Sequence, residues 1–198
     1  MVRPRSFTDA ELLAGARACF LEHGPSVSTS HIAAEIGVSQ ATLFKRFGSK
    51  DALMKAALMP RTEGEHWAAL AAPVDERPIR DQLVERGQVL MRFFQQMVPC
   101  IAVLRAHSGD MLRELADSES APPVRALRAT QGFFDDCVAQ GRIRPCNTEA
   151  LALLWLGGLR NRAFWSHMLP GTTVVESDDY VRAITETLWT GLAPEEAA

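Results

Sequence analysis

The stretch that most constrains this fold is "SHIAAEIGVSQATLFKRF", residues 30–47. It carries two helical patterns of about two turns each, with a glycine between them. The first, over residues 28–36, puts Ile32, Ala33 and Ile36 on one face and meets Gly37, the residue type that closes a helix in the left-handed conformation. Val38 then turns inward, and Ser39 is a good N-cap for a second helix, Gln40–Phe47, whose apolar side holds Leu43 and Phe47. Two short helices joined by a tight glycine turn are the helix-turn-helix pattern.

The flanks fit that reading. Thr8 and Glu11 have the spacing of a capping box, and Phe7 and Leu12 are placed for a hydrophobic staple across it. Leu12, Leu13, Ala16, Cys19 and Phe20 recur at helical spacing until Gly24-Pro25 ends the segment. In "GSKDALMKAALM", Ser49 is an N-cap, Asp51 lies in a favourable first turn, and the first amides can receive a phosphate. Beyond Pro60 the spacing predicts helices over 79–99, 101–107, 122–140, 149–169 and 178–192, with no alternating strand. The expected architecture is all-α with about nine helices. A three-helix head (1–49) precedes a larger helical body (50–198), and a helix from about 50 to 72 joins them.

Charge separates along the same line. The net charge is -3, but up to residue 55 seven basic residues face five acidic ones, and beyond it fourteen face nineteen. The chain's lysines are Lys45, Lys50 and Lys55, so a basic head sits on an acidic body, as suits a protein that turns one end to a polyanion. With 47% hydrophobic and 23% charged residues the composition is that of a soluble globular protein. The longest apolar run, residues 150–159, is too short to span a bilayer, and Asp9, Glu11 and Arg17 interrupt any signal-peptide core. The expected location is cytoplasmic, with no membrane partner.

Catalytic and metal chemistry find no footing. Cys19, Cys100, Cys137 and Cys146 are far apart and read as reduced, mostly buried thiols, and the histidines form no H-x-x-x-H pair. No cofactor motif appears, neither G-x-G-x-x-G nor a P-loop. His107, Ser108 and Asp110 are too close along one segment to converge as a triad, and no G-x-S-x-G elbow accompanies them.

The run "SHIAAEIGVSQATLFKRFGSKDAL" resembles the DNA-binding signature of the tetracycline-repressor (TetR) family. The motif covers about a quarter of the chain, and an all-helical body of this length is similar to the family's as well. The resemblance implies a homodimeric one-component regulator, most often a repressor, that binds palindromic double-stranded operator DNA and is released by a small-molecule ligand. A helix-turn-helix protein controlled by a protein partner instead of a ligand is the alternative.

On the third helix, Gln40, Thr42, Lys45 and Arg46 are left available to DNA. Gln40, in the first turn, is the best base reader because its amide can pair bidentately with adenine. Thr42 can bond a phosphate or pack on a thymine methyl, and Ala41 keeps the helix surface low. Lys45 and Arg46 are candidates for phosphate or guanine contacts, or one of them faces water. Lys50 is the cleanest phosphate clamp. Ser28, Thr29 and Ser39 are helix caps that can also bond phosphates. Phe44 stands where the family has a tyrosine, so it keeps an apolar contact with the backbone wall and lacks the phenolic hydrogen bond. Arg3 and Arg5 read as an ordinary basic terminus.

Family resemblance places the ligand pocket among the body helices. The candidate lining is Phe93, Phe94, Met97, Ile101, Leu104, Met111, Phe133, Phe134, Cys137, Trp155 and Phe164, with Met91 and Leu112 beside it. Such faces suit a mainly hydrophobic ligand, and most of them also suit an ordinary core. The last two helices are the expected dimer interface. Trp155, Trp165 and Trp189 serve an interface or a monomer core equally, and Arg160, Asn161 and Arg162 bridge subunits or meet an acidic ligand group.

Overall fold

Four hydroxyl side chains open the first four helices. The Glu11 N–H donates to Thr8 Oγ1 at 3.2 Å while the Glu11 carboxylate accepts the Thr8 N–H at 2.8 Å, so α1 (Asp9–His23) starts on a complete capping box. Ser28, Ser39 and Ser49 accept the backbone N–H of His31, Thr42 and Ala52, each at 3.1 Å. They start α2 (Thr29–Ile36), α3 (Gln40–Phe47) and α4 (Lys50–Leu58). Each such cap contributes about 1 kcal/mol. Five further helices follow: α5 (Glu65–Ala71), α6 (Ile79–His107), α7 (Pro122–Ala139), α8 (Thr148–Met168, capped by Asn147) and α9 (Ser177–Leu192). This computed structural model describes residues 7–59, 64–107, 122–172 and 175–192, and among them there are nine helices and no strand.

Two prolines act in opposite ways on the expected helices. The single helix expected from 50 to 72 does not form: α4 ends at Leu58 and Met59 is extended (φ -67°, ψ 142°). Met59 precedes Pro60, whose ring pushes its neighbour out of the helical region. The break expected near Pro99 is absent, and α6 runs on through it to His107. An interior proline costs about 3 kcal/mol, and burial of Met97, Cys100 and Leu104 on either side offsets that.

The chain divides into two compact units, and the division is not at residue 50. Met1–Pro60 groups with Pro99–Ala116, and Arg61–Val98 groups with Asp117–Ala198, so α4 and the last turns of α6 count with the head. The head's core is built from Leu12, Ala16 and Phe20 of α1, Ile32 and Ala33 of α2, Leu43 of α3, and Leu53, Met54 and Leu58 of α4, all buried. α1 and α2 approach through Gly15, where an added Cβ would lie 2.6 Å from Ile36 Cγ1.

In the body, Trp155 of α8 meets Phe134 of α7 edge-on, ring centroids 6.4 Å apart, inside a cluster with Leu83, Leu90, Leu159 and Val181. Arg86 of α6 is only 7% exposed, yet both Nη atoms of its guanidinium are hydrogen-bonded. It donates to the carbonyls of Ala69, Leu70 (3.4 Å), Ala72 (2.7 Å) and Pro73 (3.1 Å), the free carbonyls that end α5, and lies 4.1 Å from the Phe133 ring centre. Burial lowers the Arg86 pKa from its ordinary value, but four carbonyl oxygens face the charge. Gln82 and Arg142 hold the next turn of chain in the same manner. Gln82 bonds the backbone of Asp75 and Arg77, and Arg142 donates to the same two carbonyls.

By length and apolarity α6 is the one described helix that could cross a bilayer. It places Arg86 and Gln82 on backbone carbonyls and buries Leu83, Leu90 and Met91 in the body cluster, as a core helix does. Cys19, Cys100 and Cys137 are buried as expected, and Cys146 is exposed. Burial raises the thiol pKa of Cys19 and Cys100 and pushes that of Cys137 up to about 11, which keeps these thiols protonated and inert.

Candidate nucleic-acid interface

The turn between α2 and α3 is set by Gly37, at φ 82° and ψ 33°. Its N–H bonds the carbonyls of Ala33 and Ala34 and the Val38 N–H bonds Ala33 at 2.9 Å, which satisfies the last carbonyls of α2 and reverses the chain within two residues. α3 starts at once after Ser39. Leu43 is buried and Phe47 half-buried, which fixes how the helix rolls against α2 and α4.

That roll sorts the candidate contacts. Gln40, Ala41, Phe44 and Lys45, at the spacing of one helical face, are all exposed, and Phe44 is open by 42%. Thr42 is half-buried and its hydroxyl bonds Ser39 Oγ at 2.8 Å. Arg46 lies on another side of α3, where it pairs with Asp9 of α1. An exposed pair of this kind contributes about 0–1 kcal/mol, and it diverts Arg46 from the face that carries Lys45. Among the described residues no ion pair engages Lys45 or Lys50.

The three capping candidates separate as well. Ser28 caps α2 and also bonds Ser30 Oγ at 2.9 Å, and Ser39 caps α3. Thr29 caps nothing: its hydroxyl accepts Gln40 Nε2 at 2.7 Å, across the turn. Lys50 is the first residue of α4, beside the Ser49 cap. The next residue, Asp51, is 3.0 Å from His107 Nε2 at the end of α6. The residue types alone do not announce the links from Thr29 to Gln40, from Arg46 to Asp9 or from Asp51 to His107, because each joins segments distant in sequence.

The sequence pattern of the family described as "Bacterial regulatory proteins, tetR family" matches residues 12–57, which hold this turn and both helices. Over that segment the chain is similar to TetR-family transcription regulators. The matched segment is the helix-turn-helix formed by α2 and α3, with most of α1 and α4 on either side. Among relatives, the HTH-type transcriptional repressor BdcR of Escherichia coli (strain K12) is 28% identical, covering 84% of each chain. A TetR-family structure from Mesorhizobium loti MAFF303099 superimposes with a TM-score of 0.70 at 17% identity, over 93% of this chain and 96% of that one. NalD, the secondary repressor of the MexAB-OprM multidrug efflux pump in Pseudomonas aeruginosa, gives 0.64 at 15% identity, over 95% and 96%. These two likenesses show the TetR-family fold.

The body residues expected to line a pocket do not all come together. Phe133, Phe134, Cys137 and Trp155 are buried in one cluster with Phe94 packed on it, Met97 is buried, and Phe93 stacks on the His66 ring at 4.0 Å. Ile101 and Leu104 lie on the part of α6 that groups with the head, and Phe164 is exposed on α8. Met111 and Leu112, like Arg3 and Arg5, lie outside the described residues. Trp155 Nε1, Thr130 Oγ1 and Thr185 Oγ1 are buried in the body without a hydrogen-bond partner among the described residues, and residue types alone gave no sign of that.

Proposed function

We propose that this regulator is a cytoplasmic homodimeric repressor that binds a palindromic operator through α3 and leaves it when a mainly hydrophobic small molecule occupies the body. The observation that carries the DNA reading is the exposed face of α3, where Gln40, Ala41, Phe44 and Lys45 stand together while Leu43 anchors the opposite side. The repressor sense follows the likeness to BdcR, itself a transcriptional repressor. Gln40 reads base edges, Lys45 and Lys50 meet phosphates, and Ser28, Thr29, Ser39, Ala41, Thr42 and Phe44 complete the contact surface, with Arg46 reaching DNA only by leaving Asp9. In vitro selection from a random duplex pool tests this. It should recover an inverted repeat whose half-site centres lie about 34–36 Å apart, or a multiple of that. A pool that yields no inverted repeat at any salt concentration would end the reading.

Lys50→Ala should weaken binding to every duplex alike and reduce the salt slope by about one unit per subunit, as expected of a pure phosphate contact. Anisotropy titrations at several salt concentrations measure it, and a loss confined to particular base positions would contradict the assignment. Phe44→Tyr should add a phosphate hydrogen bond and raise operator affinity by about 0.5–1.5 kcal/mol, because the residue is already exposed. Lower affinity with folding intact would show that the ring has another task.

For the ligand, the supporting observation is the polar trio inside the apolar body. An unpaired buried donor costs about 1–3 kcal/mol, so the Trp155 indole N–H and the two threonine hydroxyls favour a largely apolar molecule that carries a hydrogen-bond acceptor. Such a molecule shifts the heads only if it binds one arrangement better than the other, and the effect is reciprocal. Calorimetric titration of a hydrophobic compound library, with and without the selected operator, should give ligands weakened about 5–150-fold by DNA. Equal affinity in both states for every ligand found would favour control by a protein partner.

A further inference from the structure

The bond from Gln40 Nε2 to Thr29 Oγ1, 2.7 Å long and eleven positions apart in sequence, has no role in capping either helix. Ser28 and Ser39 do the capping, while Thr29 is the first residue of α2 and Gln40 the first of α3. The hydroxyl therefore acts on one thing, the orientation of an exposed carboxamide. We propose that Thr29 is a positioning residue that makes position 40 a reader of adenine and turns it against guanine. This rests on the reading of Gln40 as a base contact.

The argument is a count of donors. A glutamine amide has two N–H groups and one oxygen. Free to rotate, it can pair its oxygen and one N–H with the N6 donor and N7 acceptor of adenine, or turn its NH2 group to the N7 and O6 acceptors of guanine. Once one N–H is committed to Thr29 Oγ1, the pair left facing outward is one N–H and the oxygen. That pair matches adenine. Against guanine it sets the amide oxygen beside O6, acceptor against acceptor. The hydroxyl hydrogen of Thr29 remains available for a phosphate oxygen, so holding Gln40 does not remove Thr29 from the backbone contact.

The test uses the full-length protein, the inverted repeat recovered from a random duplex pool, and single-base variants of that repeat read by fluorescence anisotropy. Gln40→Ala first locates the base position that depends on residue 40. At that position the wild-type protein should prefer adenine to guanine by about 5–150-fold, the 1–3 kcal/mol of a bidentate pair. Thr29→Val keeps the side-chain shape and removes the acceptor. It should bring the adenine-to-guanine ratio at that one position close to unity, leaving preferences elsewhere intact. Thr29→Ala should do the same, and Thr29→Ser should restore the ratio. An unchanged ratio in folded Thr29→Val and Thr29→Ala overturns the proposal, as does a wild-type preference for guanine, or a loss of base preference at every position, which would mark Thr29 as merely structural. A uniform loss of affinity with preferences kept reports only the phosphate contact, and the unchanged ratio then overturns the proposal. If Gln40→Ala alters no base preference at all, the failure lies one step earlier, in the base-reader reading itself, and the proposal goes with it.

Discussion

Arg86→Met should lower the unfolding free energy by about 3–5 kcal/mol, although it touches neither the DNA face nor an exposed surface. Methionine retains the apolar stem and much of the volume, so the loss is not that of a cavity. What disappears is the guanidinium that serves the carbonyls of Ala69, Leu70, Ala72 and Pro73 and rests on the Phe133 ring. A hydrogen bond to a charged group contributes about 1.5–3 kcal/mol, and carbonyls left buried and unpaired cost about 1–3 kcal/mol each. Arg86→Lys should recover only part of the loss, because an ammonium is a point charge and cannot fan out to carbonyls spread around the end of α5. Urea denaturation followed by circular dichroism measures both. An unfolding free energy for Arg86→Met within about 0.5 kcal/mol of wild type, the range of ordinary surface substitutions, would show that water serves those carbonyls as well.

Charging the open face of α8 should convert the protein to a monomer and cut operator affinity about 10²–10⁴-fold. α8 is apolar on two sides. Leu151, Ala152, Trp155, Leu159 and Ala163 are buried, while Leu153, Leu154, Phe164, Trp165 and Met168 form a second stripe that is exposed, Leu154 by 60%. Gly157 lies within that stripe and a Cβ there would meet nothing within 4 Å, so a second helix could approach closely. A helix apolar on two faces needs a cover on both, and for the outer one we propose the same helix of a second copy. Leu154→Arg combined with Phe164→Arg sets two cations against two more across a two-fold axis. Sedimentation should then report a monomer where the wild type gives a dimer. Operator affinity falls because two linked heads lose their mutual avidity once they bind independently. A wild-type protein that sediments as a monomer at micromolar concentration would remove the basis of this prediction.

Local physics was readable in the sequence, and distant physics was not. Thr8, Ser28, Ser39 and Ser49 each cap the helix that follows, and Gly37 takes the left-handed conformation, because these interactions close within three or four residues. The prolines show where such reading stops. Pro60 shapes the backbone of Met59 by a local clash, and that signal is present in the sequence itself. Pro99 sits within α6 because of what is buried around it, which no local rule contains. At the DNA face the residue types were legible and their pairings were not. Arg46 looked as available as Lys45 until Asp9, thirty-seven positions away, was found beside it. Arg86 and Gln82 carry no local sign of their tasks, since a buried guanidinium is recognisable only through the carbonyls that surround it.

The distribution of lysine and cysteine decides how this protein can be handled at a sensor surface. Side-chain amines occur in this sequence at Lys45, Lys50 and Lys55, so random amine coupling draws α3 and α4 to the support. Thiol chemistry does the reverse. Three of the four cysteines are buried and Cys146, in the connection between α7 and α8, is exposed. A maleimide surface should therefore hold every molecule through Cys146 and leave Lys45, Lys50 and Lys55 unmodified, without any engineered tag.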